Sequence, residues 1–150
     1  MAVWIFAALI FAVDQLTKAL VKMHMAPNQS IPVIDNILHL TYVQNTGAAF
    51  SLLKGRVFFF VVVSFAVIAV IVYYLTRLPE EKKLFKFTLA LVLGGAFGNL
   101  VDRLRFGYVV DFIDFRIWPV FNVADSAVVI GVLLLLYLVM CDSEILKSLD

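Results

Sequence analysis

The sequence predicts an all-α membrane protein: a four-transmembrane-helix bundle with a small β element on one surface and an interfacial connection between spans three and four. Three observations carry this expectation. The chain is 63% hydrophobic, against roughly 45–50% in soluble proteins, and its mean hydropathy is +1.01. Its apolar runs have the length of about 20 residues that a helix needs to cross a bilayer. Its ionisable groups sit near the ends of those runs or between them, and four aspartates (Asp102, Asp111, Asp114 and Asp125) fall between Gly94 and Asp125. A length of 150 residues implies one membrane-embedded domain over 1–150. The net charge of +1 gives no nucleic-acid footprint. A single Cys141 excludes an intramolecular disulfide and a cysteine metal cluster, and His24 and His39 lack zinc-ligand spacing, so neither metal nor cofactor is expected.

Span one is expected over 2–21. The run Val3–Val13 resembles a signal-peptide core, but no Lys or Arg precedes it and Asp14, Gln15 and Lys18 follow at once, so it reads as a retained span. Asp14 and Lys18 are four apart, share a helical face and can pair. The polar region that follows contains Pro27, Pro32, Asn28 and Asn36. Within it, Ile37–Val43 has strand character, and Gln44–Phe50 is expected to turn at Gly47 and pair back, giving a surface sheet over about 30–53. Span two is expected over 57–76, where 20 uncharged residues separate Arg56 from Arg77. A charged loop with Pro79 follows.

Span three is expected over 84–103. Only 15 uncharged residues separate Lys86 from Asp102, so Asn99, Asp102 and Arg103 come to the membrane edge. Gly94 and Gly98 form a small-xxx-small pattern that admits a close helix neighbour. The stretch Gly94–Gly98 lacks the lysine and the strand–loop–helix context of a phosphate loop. Phe106–Val120 reads as a re-entrant or interfacial connection. Span four is expected over 122–141, with Asp125 in its first turn at the positive end of the helix dipole.

Four spans return the chain to its starting side. Asp14, Lys18, Asn45, Asn99, Asp102, Arg103, Asp111, Asn122 and Asp125 then all converge on the opposite face. Lys and Arg are spread over both sides, so charge counting leaves orientation open. Ionisable groups at membrane depth mark function by default. Asp111 and Asp125 can face each other, share a proton in low dielectric, and divide general-base and general-acid roles on water. Asn99 and Asn122 would supply hydrogen bonds, and an Asp102–Arg103 pair would brace Asp111. Two readings compete with this chemistry: aspartates that only pair with Arg103, Arg105 and Arg116 at the headgroups, and a Ser126–Lys18 hydrolase. At the level of function, a small proton-coupled transporter and a structural membrane subunit remain as alternatives.

Five blocks carry a family resemblance: Asp14-Gln-Leu-Thr-Lys18, Asn45-Thr-Gly-Ala-Ala-Phe-Ser51, Gly95-Ala-Phe-Gly-Asn-Leu-Val-Asp-Arg103, Gly107-Tyr-Val-Val-Asp-Phe112 and Phe121-Asn-Val-Ala-Asp125. Over essentially its whole length the chain resembles bacterial signal peptidase II, the lipoprotein signal peptidase family. The resemblance implies a catalytic dyad of Asp111 and Asp125, with supporting roles for Asp14, Lys18, Asn45, Gly95, Asn99, Asp102, Arg103 and Asn122. It implies an extracytoplasmic β-cradle, cytoplasmic termini, and a site near the outer face of the bacterial cytoplasmic membrane. The implied partners are a diacylglyceryl-modified prolipoprotein, cut before its lipidated Cys, and membrane lipid around a monomer. Small residues of span three, Gly95 among them, would leave room for the substrate's signal helix. Asp114 receives no role.

Overall fold

The computed structural model describes residues 1–47 and 55–141. Four helices, α1 (Ala2–His24), α2 (Val57–Arg77), α3 (Lys83–Phe106) and α4 (Val123–Cys141), are long and apolar enough to cross a membrane. Three strands, β1 (Ser30–Ile34), β2 (Leu38–Asn45) and β3 (Val109–Asp114), complete the described elements.

The helices are sorted by polarity, inside out. In α3, 67% of the most apolar window is buried, against 6–17% in the other three. The helix with the glycines and the polar groups is therefore the central one, and the Val-, Leu- and Phe-rich helices turn their side chains outward, where lipid is the solvent. Without a hydrophobic drive between helices, close backbone approach does the packing. A Cβ on Gly94 would lie 2.6 Å from the Ala7 carbonyl oxygen of α1, and one on Gly95 would lie 2.5 Å from that of Ala124 in α4. On Gly98 it would collide with the Asp14 carboxylate. The space beside Gly95 is thus filled by α4, and its smallness serves helix packing rather than room for a substrate helix.

The sheet is antiparallel, in the order β1-β2-β3. It contains a hairpin that the sequence does not announce: β2 pairs back onto β1 through a turn at Asp35–Ile37, with Asn36 at φ 61°. Gln44 and Asn45 lie within β2, and the expected return over 48–50 lies outside the described residues. Pro32 argues against a strand around it, yet β1 is an edge strand, where a missing N–H is tolerated. The connection between α3 and α4 adds a strand that the sequence does not announce. Gly107 ends α3 in the left-handed conformation at φ 75°, as C-terminal glycines do. The chain then enters β3, which pairs with β2. Beyond it, Phe115, Ile117 and Trp118 are exposed.

Two apolar clusters bracket a polar layer. One, built on Ala7, Ile71, Leu75, Phe85, Leu89 and Leu93, fills the bundle toward the α2–α3 loop. The other, Val21, Met25, Tyr42, Val110 and Phe112, seats the sheet on the end of α1. Between them lie Asp14, Lys18, Asn99, Asp102, Asp111 and Asn122, all buried.

Candidate active site

Asn122 is the hinge of the site. It precedes α4 and caps it: its Oδ1 accepts from the Asp125 backbone N–H at 2.8 Å, and its own N–H donates to Asp125 Oδ2 at 3.3 Å. This is the reciprocal capping-box arrangement with Asn and Asp in place of the usual pair. Its Nδ2 donates to Asp111 Oδ1 at 2.7 Å. One fully buried residue therefore touches both carboxylates. Each carboxylate also has its own amide donor. Asn45 Nδ2 donates to Asp111 Oδ2 at 2.8 Å, and Asn99 Nδ2 donates to Asp125 Oδ1 at 2.7 Å.

The sheet aims Asp111. In register, Leu40 faces Ile113 and Val43 faces Asp111, so β2 carries an extra residue between these pairs. A bulge of this kind bends a strand and re-aims the side chains beyond it. Asn45, opposite Val109, then lies diagonal to Asp111 on the same face and within reach.

Beneath the two carboxylates a brace ties four elements together. Lys18 Nζ sits 2.9 Å from Asp14 Oδ2 and 3.1 Å from Asp102 Oδ2, and donates to Asn99 Oδ1 at 2.9 Å. These three contacts use all three of its protons. Asp14 Oδ1 accepts from the Ala124 N–H at 2.9 Å, fixing the start of α4. Asp102 Oδ2 accepts from the Val110 N–H at 3.0 Å, fixing β3 one residue before Asp111. Asp102 thus holds the residue before Asp111, and its ion pair among the described residues is with Lys18, not with Arg103 as expected. Arg103 instead donates to the Gly47 carbonyl at 3.3 Å and lies over the Phe60 ring. Gln15 has no role in the reading of the sequence, yet it belongs to this brace. Its Nε2 donates to Asp102 Oδ1 at 3.0 Å and Asp14 Oδ2 at 3.2 Å, helping to hold two carboxylates around one ammonium. Its position beside Asp14 is the one signal that points to it.

Burial, together with the neighbouring Asp125 carboxylate, pushes the Asp111 carboxyl up to about 7, against the hydrogen bonds from Asn45 and Asn122. Asp114 goes the other way. Burial acts to raise it, but hydrogen bonds from Thr41 and from the backbone and guanidinium of Arg116 hold it below the ordinary carboxylate value. At the C-terminal end of β3, Asp114 pairs with Arg116 at 3.0 Å and, across the sheet, accepts from Thr41 at 2.7 Å. The arginine-pairing alternative describes Asp114, not Asp111. Ser126 Oγ donates to the Asn122 carbonyl at 3.0 Å, while Lys18 is committed to the brace, so no serine–lysine couple forms. No group of three or more metal-ligating side chains occurs among the described residues.

Two carboxylates, Asp111 buried and Asp125 half-buried, both held by Asn122 at one end of a four-span bundle, fit the frame of a membrane-embedded aspartic peptidase. The family model for signal peptidase (SPase) II matches residues 6–141. The chain belongs to the signal peptidase II family and is an aspartic peptidase of that type. It is similar to the lipoprotein signal peptidases of Moorella thermoacetica (53% identical, covering 87% of each chain) and Halothermothrix orenii (52%, covering 91% of this chain and 94% of that one). Its fold is similar to a bacterial membrane enzyme solved by the in meso method at 2.3 Å: TM-score 0.89, 32% identity, covering 95% of this chain and 89% of the other.

Proposed function

We propose that this protein removes the signal peptide from diacylglyceryl-modified prolipoproteins by cutting before the lipidated Cys, with water activated between Asp111 and Asp125. The observation that carries the reading is the double contact of Asn122, which holds both carboxylates in one hydrogen-bonded unit. Two carboxylates held in one hydrogen-bonded unit of a shielded site, each feeling the other's charge, share one proton. Asp111 holds it below about pH 7. The ionised Asp125 then takes a proton from water, and the oxygen attacks the scissile carbonyl carbon. Asp111 gives its proton to the carbonyl oxygen, forming a neutral tetrahedral diol. Collapse of the diol returns one proton to Asp111 and passes the other from Asp125 to the departing amine. No covalent enzyme intermediate forms.

The supporting residues follow from their partners. Asn45, Asn99 and Asn122 orient the two carboxylates, while Asp14, Lys18 and Asp102 fix the elements that carry them. Gly95 seats α4, and Arg103 tethers the segment at Gly47 to the site. A diacylglyceryl anchor would keep the scissile bond at the membrane surface, and the pair lies at the ends of the spanning helices, which suits that depth. The reading sets both termini in the cytoplasm, the site near the outer face of the bacterial cytoplasmic membrane, and a monomer surrounded by lipid.

Purified protein incubated with a diacylglyceryl-modified precursor is expected to give a shortened product by gel mobility, with the lipidated Cys at its new N-terminus by mass spectrometry. The unmodified precursor stays intact. Cleavage of both at equal rates, or at another bond, contradicts the reading. The pH profile adds a second check. The mechanism needs one proton on the pair, and Asp111 loses it through about pH 7. The rate constant kcat/KM should therefore fall as pH rises past that value, and fall again at acid pH when the base is protonated. A rate still climbing at pH 9 removes the shared proton from the mechanism.

A further inference from the structure

The last turns of α1 and α3 enclose a cavity of about 210 Å³ that the catalytic arrangement does not use. Lys22 and Arg105 stand at its mouth, half-buried and exposed respectively, and Lys18 and Asp102 form its buried floor. Both mouth cations address one ring: Lys22 Nζ lies 3.3 Å from the Phe106 centroid, and the Arg105 guanidinium carbon 5.0 Å from it. Among the described residues neither has a carboxylate within ion-pair distance, whereas the floor lysine is paired with both Asp14 and Asp102. Offsetting the helix dipole explains one cation per helix end. It does not explain two cations of different helices converging on a shared cavity and a shared ring, where their mutual repulsion calls for an anion.

We infer that this cavity is a binding site for a phosphate anion, presented by the headgroup of an acidic phospholipid. Lysine and arginine are the side chains that bind phosphate, arginine through its planar fork, and basic pockets between membrane helices take up such headgroups. The cationic mouth adjoins outward-facing apolar side chains, Leu20 and Met23 on α1 and Leu104 on α3, exposed by 47%, 76% and 57%. The surface therefore offers charge for a headgroup and, beside it, apolar area for the attached chains. Both cations lie in the last turns of helices long and apolar enough to cross a membrane, the part of a span that meets headgroups.

The test is native mass spectrometry of the full chain released from detergent, with phosphatidylglycerol, phosphatidylcholine or inorganic phosphate added. One phosphatidylglycerol is expected to be retained per chain in preference to phosphatidylcholine. Lys22→Gln with Arg105→Gln should bind it about 25-fold more weakly, from roughly a factor of five per basic side chain at a headgroup. Lys22→Arg with Arg105→Lys should keep it. If the double glutamine variant does not fold, Arg105→Gln alone, at an exposed site, should still lose about fivefold. Displacement of the lipid by millimolar inorganic phosphate supports the phosphate contact. Retention of inorganic phosphate without lipid keeps the phosphate chemistry but overturns the lipid source. Equal phosphatidylglycerol retention by wild type and the glutamine variants, or equal retention of both lipids by wild type, overturns the site.

Discussion

Asp111→Asn and Asp125→Asn should each lower cleavage of a lipidated precursor by at least about 10³-fold, within the range for losing a positioned general acid or base, while the chain still inserts and folds. Asparagine matches the shape of aspartate but neither carries the shared proton nor accepts one from water. At Asp111 it can keep one of the two amide contacts to Asn45 and Asn122. Stability separates this loss from misfolding, because its pH dependence has a definite sign. The carboxyl of Asp111 is raised from 3.8 to about 7 in the folded chain. Its stabilising contribution is therefore fully present below about pH 4 and is lost as pH climbs through 7. The Asp111→Asn chain has no such dependence at this position, since an amide does not titrate. The difference in Tm between variant and wild type should thus shift in the variant's favour between pH 5 and pH 8. Cleavage near the wild-type rate by either variant removes that residue from the chemistry.

What the sequence discloses about this site is what short-range geometry encodes. The Asp14–Lys18 pair follows from a spacing of four on a helix, and the structure holds it at 2.9 Å. The gathering of polar groups on one face follows from counting spans. The Asn122–Asp125 spacing of three anticipates a shared helical face, and it becomes the cap of α4. Contacts across the bundle leave no such trace. Lys18 lies on α1 and Asp102 on α3, so a sequence offers Asp102 the adjacent Arg103 as a partner more readily. Burial decides otherwise: three donors on one ammonium can serve two carboxylates and an amide at once, which the guanidinium, drawn to the Phe60 face and the Gly47 carbonyl, does not. Strand β3 is hidden for a related reason. Val-Val-Asp-Phe-Ile-Asp (109–114) is buried at five of its six positions, so the alternation that marks a half-exposed strand is absent. Its bounds at Gly107 and Pro119 and its β-branched content are the remaining signals. The β1–β2 hairpin goes unanticipated because Pro32 argues against a strand; edge position reverses that argument, and Asn36 supplies the turn.

Lys18→Met should fail in a different way from the dyad variants, by losing structure first. Its ammonium is 2% exposed and is shared by Asp14, Asp102 and Asn99. Methionine has similar volume but leaves two buried carboxylates facing each other without a cation. Breaking a buried ionic group by removing one partner costs about 3–5 kcal/mol, a large part of a typical folding free energy. The damage is directed, because the two orphaned carboxylates hold the Ala124 and Val110 N–H groups, the anchors of the α4 start and of β3. Both Asp125 and Asp111 then lose their placement, so activity falls together with Tm. Neutralising the orphans tests the cause. Lys18→Met combined with Asp14→Asn and Asp102→Asn removes the unpaired charge while each asparagine carbonyl can still accept its backbone N–H. Thermal unfolding in detergent should recover at least half of the lost Tm, beyond the sum of the separate substitutions, as expected for groups in one network. A Lys18→Met chain as stable as wild type, or a triple variant less stable than Lys18→Met alone, means that the ammonium does not hold this layer together. On the expected outcome the two sets of variants divide the polar layer by role: Asp111 and Asp125 replaced without loss of fold, and Lys18 replaced only at the expense of the geometry those carboxylates require.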